Sequence, residues 1–435
     1  MGGNELGINK NCKKMTNNEN LINILHAQVK PALGCTEPIA VALAVAKARE
    51  SLAGELKELK VVVSPNIYKN GFHVTIPGTK KTGISFAAAL SLLIGKSEFG
   101  LEVLKNAEKK DYIEADKLLK FIDLDYHDTD SQVYVYVKLS TDKGCSEVII
   151  KDRHDNIISV KVNDKVIFKE ESSQGKNENY KISTIPIKKL ITEIENIEVS
   201  GLRFLLAGVN MNKKIAYKGL SEKSGMGLGR GIKELIEEGV LTDSVVNKAK
   251  MLSAAAADAR MGGIKMPVMS SAGSGNQGIT AILPIYVVSD YYDLSEDKLV
   301  KALAISHLLT KYVKEYTGDL TPICGCAVAA GVGAVAGITW ILGGTYKQIN
   351  GAINNIIASL AGMICDGAKH SCALKIATSA NEAVTLAHLA LREKYLAKTN
   401  GIISKKAETT IENLGEICVR GMENMDKTIL DIMGK

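Results

Sequence analysis

The sequence predicts an α+β protein, in which a mixed N-terminal half carries a small sheet and the C-terminal half is mainly α-helical. Short segments of alternating apolar and polar residues, typical of half-buried strands, occur only before about residue 185. After that point the chain shows helical periodicity with Gly-rich joints. Only 5% of the 435 residues are aromatic, so the core must be built from Ala, Val, Ile, Leu and Gly in closely packed helices.

The first structured segment, 21–56, is predicted to be two helices joined by a turn. Its apolar positions recur at helical spacing, with interruptions at Pro31 and Pro38. Pro38 suits the first turn of the second helix, because no backbone N–H bond is lost there. We expect this pair of helices to pack against the helical half, and the preceding 1–20 to be a polar leader.

Residues 57–185 form the predicted mixed domain. A helical region over 84–120 lies among its strands, and the polar stretch 170–179 is predicted to be an exposed loop. Short runs of Val, Ile, Phe and Tyr bounded by Asp, Asn and Gly indicate strands at Leu59–Ser64, Phe72–Ile76, Gln132–Lys138, Ser146–Lys151, Ile157–Val162 and Lys165–Phe168.

The remaining residues, 186–435, form a predicted helical domain with three uncharged stretches, at 267–289, 320–346 and 351–365. The middle stretch is long enough to cross a bilayer, which takes about 20 apolar residues. It is rich in glycine, however, and lacks aromatic and basic anchors at both ends. We therefore expect a buried central helix and no membrane association.

Composition also bears on partners and compartment. The net charge of +6 comes from scattered lysine pairs and forms no dense basic stripe, which argues against nucleic-acid binding. Eight cysteines are too few for a disulfide scaffold, and the N-terminus shows no secretion signal. These features indicate the reducing cytoplasm, where clustered cysteines serve metal binding or catalysis. The expected partners are a small-molecule substrate and a second copy of the chain, as a homodimer.

Four cysteines, Cys324, Cys326, Cys365 and Cys372, lie close together in sequence. Cys365 and Cys372 are seven residues apart. In a continuous helix seven residues rise about 10 Å, which is too far for the two thiolates to hold one small ion. A four-iron cluster is larger, and a break at 366–367 would shorten the path. The absence of Cys-x-x-Cys pairs argues against structural zinc, so the pattern favours an iron–sulfur cluster. Simple burial of small apolar thiols is the alternative.

A second group of polar residues lies in the loop 271–278, Ser-Ala-Gly-Ser-Gly-Asn-Gln-Gly. Its glycines let backbone N–H groups converge on an anion, and Ser274, Asn276 and Gln277 add side-chain hydrogen bonds. A carboxylate or phosphate would fit. A joint between helices that needs positive φ would explain the glycines but not the Asn-Gln pair.

A third group, Cys35, Thr36 and Glu37, stands at a predicted helix N-terminus. The helix dipole would promote ionisation of a thiol there, which makes Cys35 a candidate base or nucleophile. A packed cysteine beside a capping residue is the alternative. The seven histidines show no paired ligand spacing, and no role is assigned to three further cysteines, Cys12, Cys145 and Cys418.

Together these motifs resemble the oxygen-sensitive iron–sulfur L-cysteine desulfidases, which are related to the iron–sulfur L-serine dehydratases. The resemblance covers most of the chain, and its motifs follow in the expected order: Gly34–Pro38, Gly273–Gly278, Cys324–Gly331, Cys365–Lys369 and Cys372–Lys375. It implies conversion of L-cysteine to hydrogen sulfide, ammonia and pyruvate without pyridoxal phosphate. The dehydratases place histidine where this chain has Cys35, a departure that fits the desulfidases.

The resemblance also implies residue roles. It makes Cys324, Cys365 and Cys372 the ligands of a 4Fe-4S cluster whose fourth iron stays open for substrate, with Cys326 as the alternative first ligand. In the desulfidases the cysteine at the position of Cys35 is the proposed base. The implied substrate-binding residues are Thr36, Asn66, His73, Ser274, Asn276 and Gln277.

Three other interpretations stay open on the sequence alone. An open iron could equally bind the hydroxyl of L-serine, which would make the chain a serine dehydratase. The segment Ser274–Gly278 is similar to the Ser-Gly-Asn loop of pyridoxal-phosphate lyases, with Lys369 or Lys375 as the imine-forming residue. A helical protein whose cysteines bind a structural metal or only pack is the non-enzymatic alternative.

Overall fold

The computed structural model describes residues 17–170 and 181–434; the first sixteen residues of the predicted leader and most of the predicted loop 170–179 lie outside them. The N-terminal half has five helices in the described residues: α1 (Asn17–Gln28), α2 (Thr36–Ser51), α3 (Pro65–Gly71), α4 (Ile84–Ile94) and α5 (Lys109–Leu118). Its strands there are β1 (Pro31–Ala32), β2 (Leu56–Val63), β3 (Ile122–Tyr126), β4 (Tyr134–Thr141), β5 (Gly144–Lys151), β6 (Ile157–Val162) and β7 (Lys165–Lys169).

The second half is helical apart from one short strand. Its elements are α6 (Ile187–Asn196), α7 (Leu206–Ser221), α8 (Leu228–Glu237), α9 (Val245–Met261), β8 (Val268–Met269), α10 (Gly275–Tyr291), α11 (Glu296–Thr317), α12 (Val328–Ile341), α13 (Tyr346–Leu360), α14 (Cys372–Leu391), α15 (Ala407–Glu416) and α16 (Met425–Met433). A π-helical turn, Ile417–Gly421, follows α15, and short 3-10 turns occupy Ser97–Glu102, Leu119–Phe121, Ile182–Thr184, Val199–Gly201 and Arg203–Leu205. The predicted α+β class and its division into halves are confirmed.

The predicted helix-turn-helix is confirmed by α1 and α2, with Pro38 in the first turn of α2. Helix α1 packs with the helical half, where Leu21 and Leu25 join the large core. Helix α2, in contrast, packs against the sheet and α4, not against the helical half as expected. It is buried almost all round, because one side meets the strands and another meets α4. The turn between them is tied to the helical half by the β1–β8 pairing.

The main sheet has six strands in the order β3-β2-β4-β5-β6-β7. Strand β3 pairs parallel with β2, and the other neighbours are antiparallel. Alternate residues of β4 are buried beneath α2 and α4, as the period-2 pattern predicts. The expected strand Phe72–Ile76 is wrong: no neighbouring strand is available there, and only a single bridge, Thr75 to Thr82, forms. Strand β3 and helix α3 were not predicted.

The uncharged stretch 320–346 contains α12, which is buried along nearly its whole length among α10, α11, α13 and α14. A side chain at Gly333 would collide with the carbonyl oxygen of Ser306 on α11, so small residues set the spacing of these helices. The expected buried central helix is confirmed. None of the helices in the described parts of the chain has both the length and the hydropathy of a membrane span.

Candidate active site

A cleft of about 1740 Å³ lies where the sheet-bearing half meets the helical half. It brings together eight of the ten residues singled out from the sequence: Cys35, Thr36, Ser274, Asn276, Gln277, Cys324, Cys365 and Cys372. Asn66 and His73 do not line it. His73 is exposed and rests edge-on against Phe72, whereas Asn70, one helical turn beyond Asn66, reaches the cleft.

Two of the cysteine loops are held together by backbone hydrogen bonds. The Cys324 amide donates to Met363 O over 2.7 Å, and the Cys365 amide donates to Pro322 O over 2.6 Å. These bonds form an isolated antiparallel β-bridge between Ile323 and Ile364, which holds the two loops side by side. The thiols of Cys324 and Cys365 are therefore positioned by the main chain, independently of any ligand.

The third cysteine, Cys372, is the first residue of α14. Its sulfur receives a hydrogen bond from the Lys369 amide at 3.5 Å and donates to Gly367 O at 3.7 Å. The predicted break at 366–367 is present: Gly367 has φ +98°, and a side chain there would collide with the carbonyl oxygen of Lys69. This turn shortens the path between Cys365 and Cys372.

Next to the thiols, Asp366 forms ion pairs with Lys369 at 2.5 Å and Lys375 at 2.6 Å. Burial alone would raise the pKa of Asp366, but hydrogen bonds from the two lysines outweigh it and hold the pKa at about 2. The carboxylate therefore stays charged and anchors both lysines beside the cysteine loops.

Cys324 and Cys326 differ in their surroundings. Cys324 is buried, and its charge would interact with those of Cys365 and Cys372. Cys326 is half-buried, and its sulfur lies 3.7 Å from Ser274 Oγ on the opposite loop. Cys326 thus lies next to both Cys324 and the polar loop.

The three thiols are of the ligand type that iron–sulfur clusters use. No three His, Cys, Asp or Glu side chains in 17–170 and 181–434 are placed to hold one metal ion. A hydrogen bond with Cys326 and burial raise the pKa of Cys324, and burial raises that of Cys372 to about 12 and also that of Cys365. Crowded, buried thiols of this kind ionise when a cationic centre binds between them, because metal coordination deprotonates a thiol. The residues present therefore fit an iron–sulfur cluster.

Cys35 occupies the N-cap position of α2, as predicted. It is buried in a small apolar group with Val74 and Met261, against which Ala368 and Cys372 pack, and its charge would interact with that of Cys372. We expected the helix dipole to promote its ionisation. In the structure burial outweighs the nearby Arg260 guanidinium and raises the pKa of Cys35 to about 11.

Arg260, at the end of α9, is a site residue that the sequence analysis missed. Its guanidinium is buried, and it donates to Asn276 Oδ1 at 2.8 Å and to Gly34 O at 2.6 Å. It thus connects the Cys35 loop to the polar loop 271–278. A single arginine within the alanine-rich run 253–261 was the available signal, since a helix of small residues is buried on most sides.

The loop 271–278 turns sharply into α10. Ala272 and Gly273 both have positive φ, at +44° and +82°, and a side chain at Gly278 would collide with the Met269 carbonyl oxygen. Packing and positive φ thus explain the glycines, as expected if the loop is a joint between two helices. The Asn-Gln pair lines the cleft instead: Asn276 accepts from Arg260, and Gln277 Oε1 is buried and has no hydrogen-bond partner in the described part of the chain.

His307 on α11 contacts this loop through a hydrogen bond with Ser271. Its Nδ1 lies 2.8 Å from Ser271 Oγ, and the ring is fully buried. Burial lowers the pKa of His307 to about 3, so the ring is neutral at neutral pH. Nothing in the residues around it in sequence distinguishes it from the other histidines.

Fold and site together define a helical enzyme with a thiol-lined cleft against a small α+β half. A sequence model of the family described as the serine dehydratase alpha chain matches residues 98–431. The chain belongs to this family, whose members are lyases of the iron–sulfur dehydratase type. Membership implies an iron–sulfur cluster and an amino-acid substrate, and it argues against the pyridoxal-phosphate and non-enzymatic alternatives.

Curated relatives align with nearly the whole chain. A UPF0597 protein of Clostridioides difficile strain 630 is 46% identical over 418 residues, which is 94% of this chain and 98% of that protein. A UPF0597 protein of Caldanaerobacter subterraneus subsp. tengcongensis is 45% identical over 420 residues, or 95% and 98% of the two chains. One of Clostridium tetani is 44% identical over 418 residues, or 95% and 97%.

Proposed function

We propose that this protein is an L-cysteine desulfidase, which converts L-cysteine to hydrogen sulfide, ammonia and pyruvate. The observation that carries the proposal is the position of Cys35. Its thiol lies in the same cleft as Cys324, Cys365 and Cys372, and Cys372 packs against the small apolar group to which Cys35 belongs. A group that removes the α-proton must lie next to the centre that takes the leaving sulfur, and Cys35 has that position.

Cys324, Cys365 and Cys372 would hold a 4Fe-4S cluster through three of its irons. Three ligands from a four-iron cluster leave one iron for substrate, and such an iron acts as a Lewis acid on the leaving sulfur. The chain's contribution is to fix the three thiols: the bridge between the Cys324 and Cys365 loops and the turn at Gly367 set their relative positions. Cys326, which faces Ser274, is outside this set.

Cys35 would act as the general base. In its thiolate form it takes the proton from the substrate α-carbon, that C–H electron pair forms the Cα–Cβ double bond, and the Cβ–S bond breaks toward sulfur. Aminoacrylate, released from the site, is hydrolysed by water to pyruvate and ammonia. The Arg260 guanidinium favours the thiolate, and burial opposes it, so Arg260 assists this step.

The polar loop would hold the substrate carboxylate. Ser274 stands at the N-cap of α10, and Asn276 and Gln277 follow in its first turn, where backbone N–H groups and the helix dipole favour an anion. Thr36 lines the facing side of the cleft. A carboxylate bound there would lie in the same cleft as Cys35 and the three thiols.

The test is anaerobic purification with analysis of iron and acid-labile sulfide, followed by assay of sulfide and pyruvate released from L-cysteine. The proposal expects about four irons per chain, from the four-iron cluster type, with sulfide and pyruvate formed in equal amounts. An iron-free protein with full activity would remove the cluster from the mechanism.

L-Serine dehydration is the second candidate, favoured by the match to the serine dehydratase alpha chain family. The same assay separates the two, because L-serine yields pyruvate without sulfide. A higher kcat/KM for L-serine than for L-cysteine would replace the first proposal with this one.

A further inference from the structure

Two buried charges of opposite sign face the cleft beside Cys35. Glu37, in the first turn of α2, and Arg260 are each more than nine-tenths buried and both line the cleft. In the parts of the chain that the structure describes, neither forms an ion pair with another side chain. Burying an unpaired charge is costly, so a site that keeps two of them needs a reason.

Among the residues that the structure describes, the side-chain donors to Glu37 are neutral. Its Oε1 accepts from Asn70 Nδ2 at 3.2 Å, and its Oε2 accepts from Thr36 Oγ1 at 3.3 Å. The dipole of α2 offsets part of the cost of burying this carboxylate. It does not explain why the carboxylate lies at the cleft, where a cation from solution can reach it.

Asn70 supplies a second acceptor at the same place. Its amide is buried, lines the cleft and donates to Glu37, while its Oδ1 is buried with no hydrogen-bond partner in 17–170 and 181–434. Buried polar atoms without a partner are rare in proteins. A ligand that donates several hydrogen bonds and carries a positive charge would satisfy both the Glu37 carboxylate and Asn70 Oδ1.

An α-ammonium group has those properties, with three donors and one positive charge. We propose that Glu37 and Asn70 bind the α-ammonium group of the substrate, while Arg260 provides the opposite charge near the carboxylate-binding loop through its hydrogen bond to Asn276. The site then recognises both charges of an amino-acid zwitterion on the two sides of Cys35. This inference rests on the proposed function in that it takes a small amino acid as substrate.

Unreactive analogues test this recognition without turnover. L-2-Aminobutyrate has the size of L-cysteine but no leaving group, butyrate lacks its ammonium group, and propylamine lacks its carboxylate. Calorimetric titration of the anaerobic holoprotein should give about 10-fold to 100-fold weaker binding for butyrate than for L-2-aminobutyrate, the range of a charge-assisted hydrogen bond. Equal affinities for the two, or no binding of L-2-aminobutyrate, would overturn the inference.

Variants then assign the preference to its residues. Glu37→Gln should abolish the preference for L-2-aminobutyrate over butyrate, and Asn70→Ala should reduce it about 3-fold to 10-fold, the range of a neutral hydrogen bond. Glu315→Gln is the matched control, since Glu315 also lines the cleft but accepts from the Ser183 amide and does not contact Cys35. It should keep the full preference.

A Glu37→Gln protein that binds both analogues more weakly by the same factor would make Glu37 a structural residue and refute the assignment. If Glu37→Gln does not fold, Asn70→Ala and the wild-type comparison decide the question. The proposed function fails separately: a protein that prefers L-2-aminobutyrate but releases no sulfide from L-cysteine keeps zwitterion recognition and loses desulfidase activity.

Discussion

The two walls of the cleft satisfy their polar groups in different ways. The cysteine wall, formed by the loops of Cys324, Cys365 and Cys372, is fixed by short backbone hydrogen bonds and by Asp366 between two lysines. The Cys35 wall, formed by Cys35, Glu37 and Asn70, keeps a buried carboxylate with no cation and an amide oxygen with no partner among the described residues. All three residues of the Cys35 wall are buried, whereas in the cysteine wall Cys324 is buried and Cys365 and Cys372 are partly buried.

This difference separates a permanent ligand from a transient one. A group that stays bound needs donors that are held in place before it arrives, and the cysteine wall provides them. A substrate that comes and goes must find groups whose hydrogen-bonding capacity is still free, and it repays their desolvation only while it is bound. Predictions that test the comparison follow in order of expected effect.

The largest effect is expected from the cysteine wall. Changing Cys324, Cys365 or Cys372 to Ser should lower bound iron and visible absorption to near zero and remove sulfide release, because a ligand to the cluster is lost. Cys326→Ser should keep the iron, since that sulfur faces Ser274. Iron analysis of anaerobic protein measures this. Loss of iron from Cys326→Ser with retention in Cys324→Ser would exchange the two assignments.

A change in the Cys35 wall should lower activity and leave the bound iron in place. Cys35→Ala is expected to lower kcat by about 100-fold to 10,000-fold, the usual range for a general base, with iron content and absorption unchanged. Cys145→Ala is the matched control, because Cys145 lies on β5 of the sheet, outside the cleft. Loss of the visible absorption in Cys35→Ala would move Cys35 to the set of cluster ligands.

The smallest effect is expected from His307, which contacts Ser271 of the polar loop 271–278. Burial lowers the pKa of His307 to about 3, against about 6.5 in an unfolded chain. Between these values the unfolded chain binds one proton more than the folded chain, so stability falls as the pH falls through this window. At pH 7 and above the group contributes no pH dependence.

Replacing His307 should remove this pH dependence of the folding stability. Wild-type protein should lose about 2 kcal/mol more unfolding free energy than His307→Gln between pH 6.5 and pH 4.5. Urea midpoints at several pH values measure the difference. The exposed His73→Gln serves as control and should follow the wild type. If the unfolding free energies of His307→Gln and wild type fell equally with pH, the ring would take up its proton in the folded chain as readily as in the unfolded chain, which contradicts the prediction.

Several features of the fold could be predicted from local sequence. The period-2 pattern of β4 and the helical pattern with Pro38 in α2 are confirmed, because each reports one buried face of one element. The segment at 72–76 has the composition of a strand, but strands need partners, and none is available. Helix α3 was missed because its seven residues are too few to show a helical period.

The same limit applies to the site. Cys35, Ser274 and Cys365 could be singled out because unusual residue types cluster locally around them. Glu37 was considered only as a helix-capping residue, and Arg260 was not singled out. Their importance depends on both lying near Cys35 at the cleft, from α2 and α9, which lie more than two hundred residues apart in sequence.

By itself the sequence determined the class of the fold, the three polar segments that carry the chemistry and the resemblance to iron–sulfur lyases, since residue type and spacing along one element are local properties. Only the tertiary structure decided that Cys35 lies in the same cleft as Cys324, Cys365 and Cys372, and that burial raises the pKa of Cys35 instead of the dipole lowering it. Distances and burial depend on how elements pack, and packing involves residues from both halves of the chain.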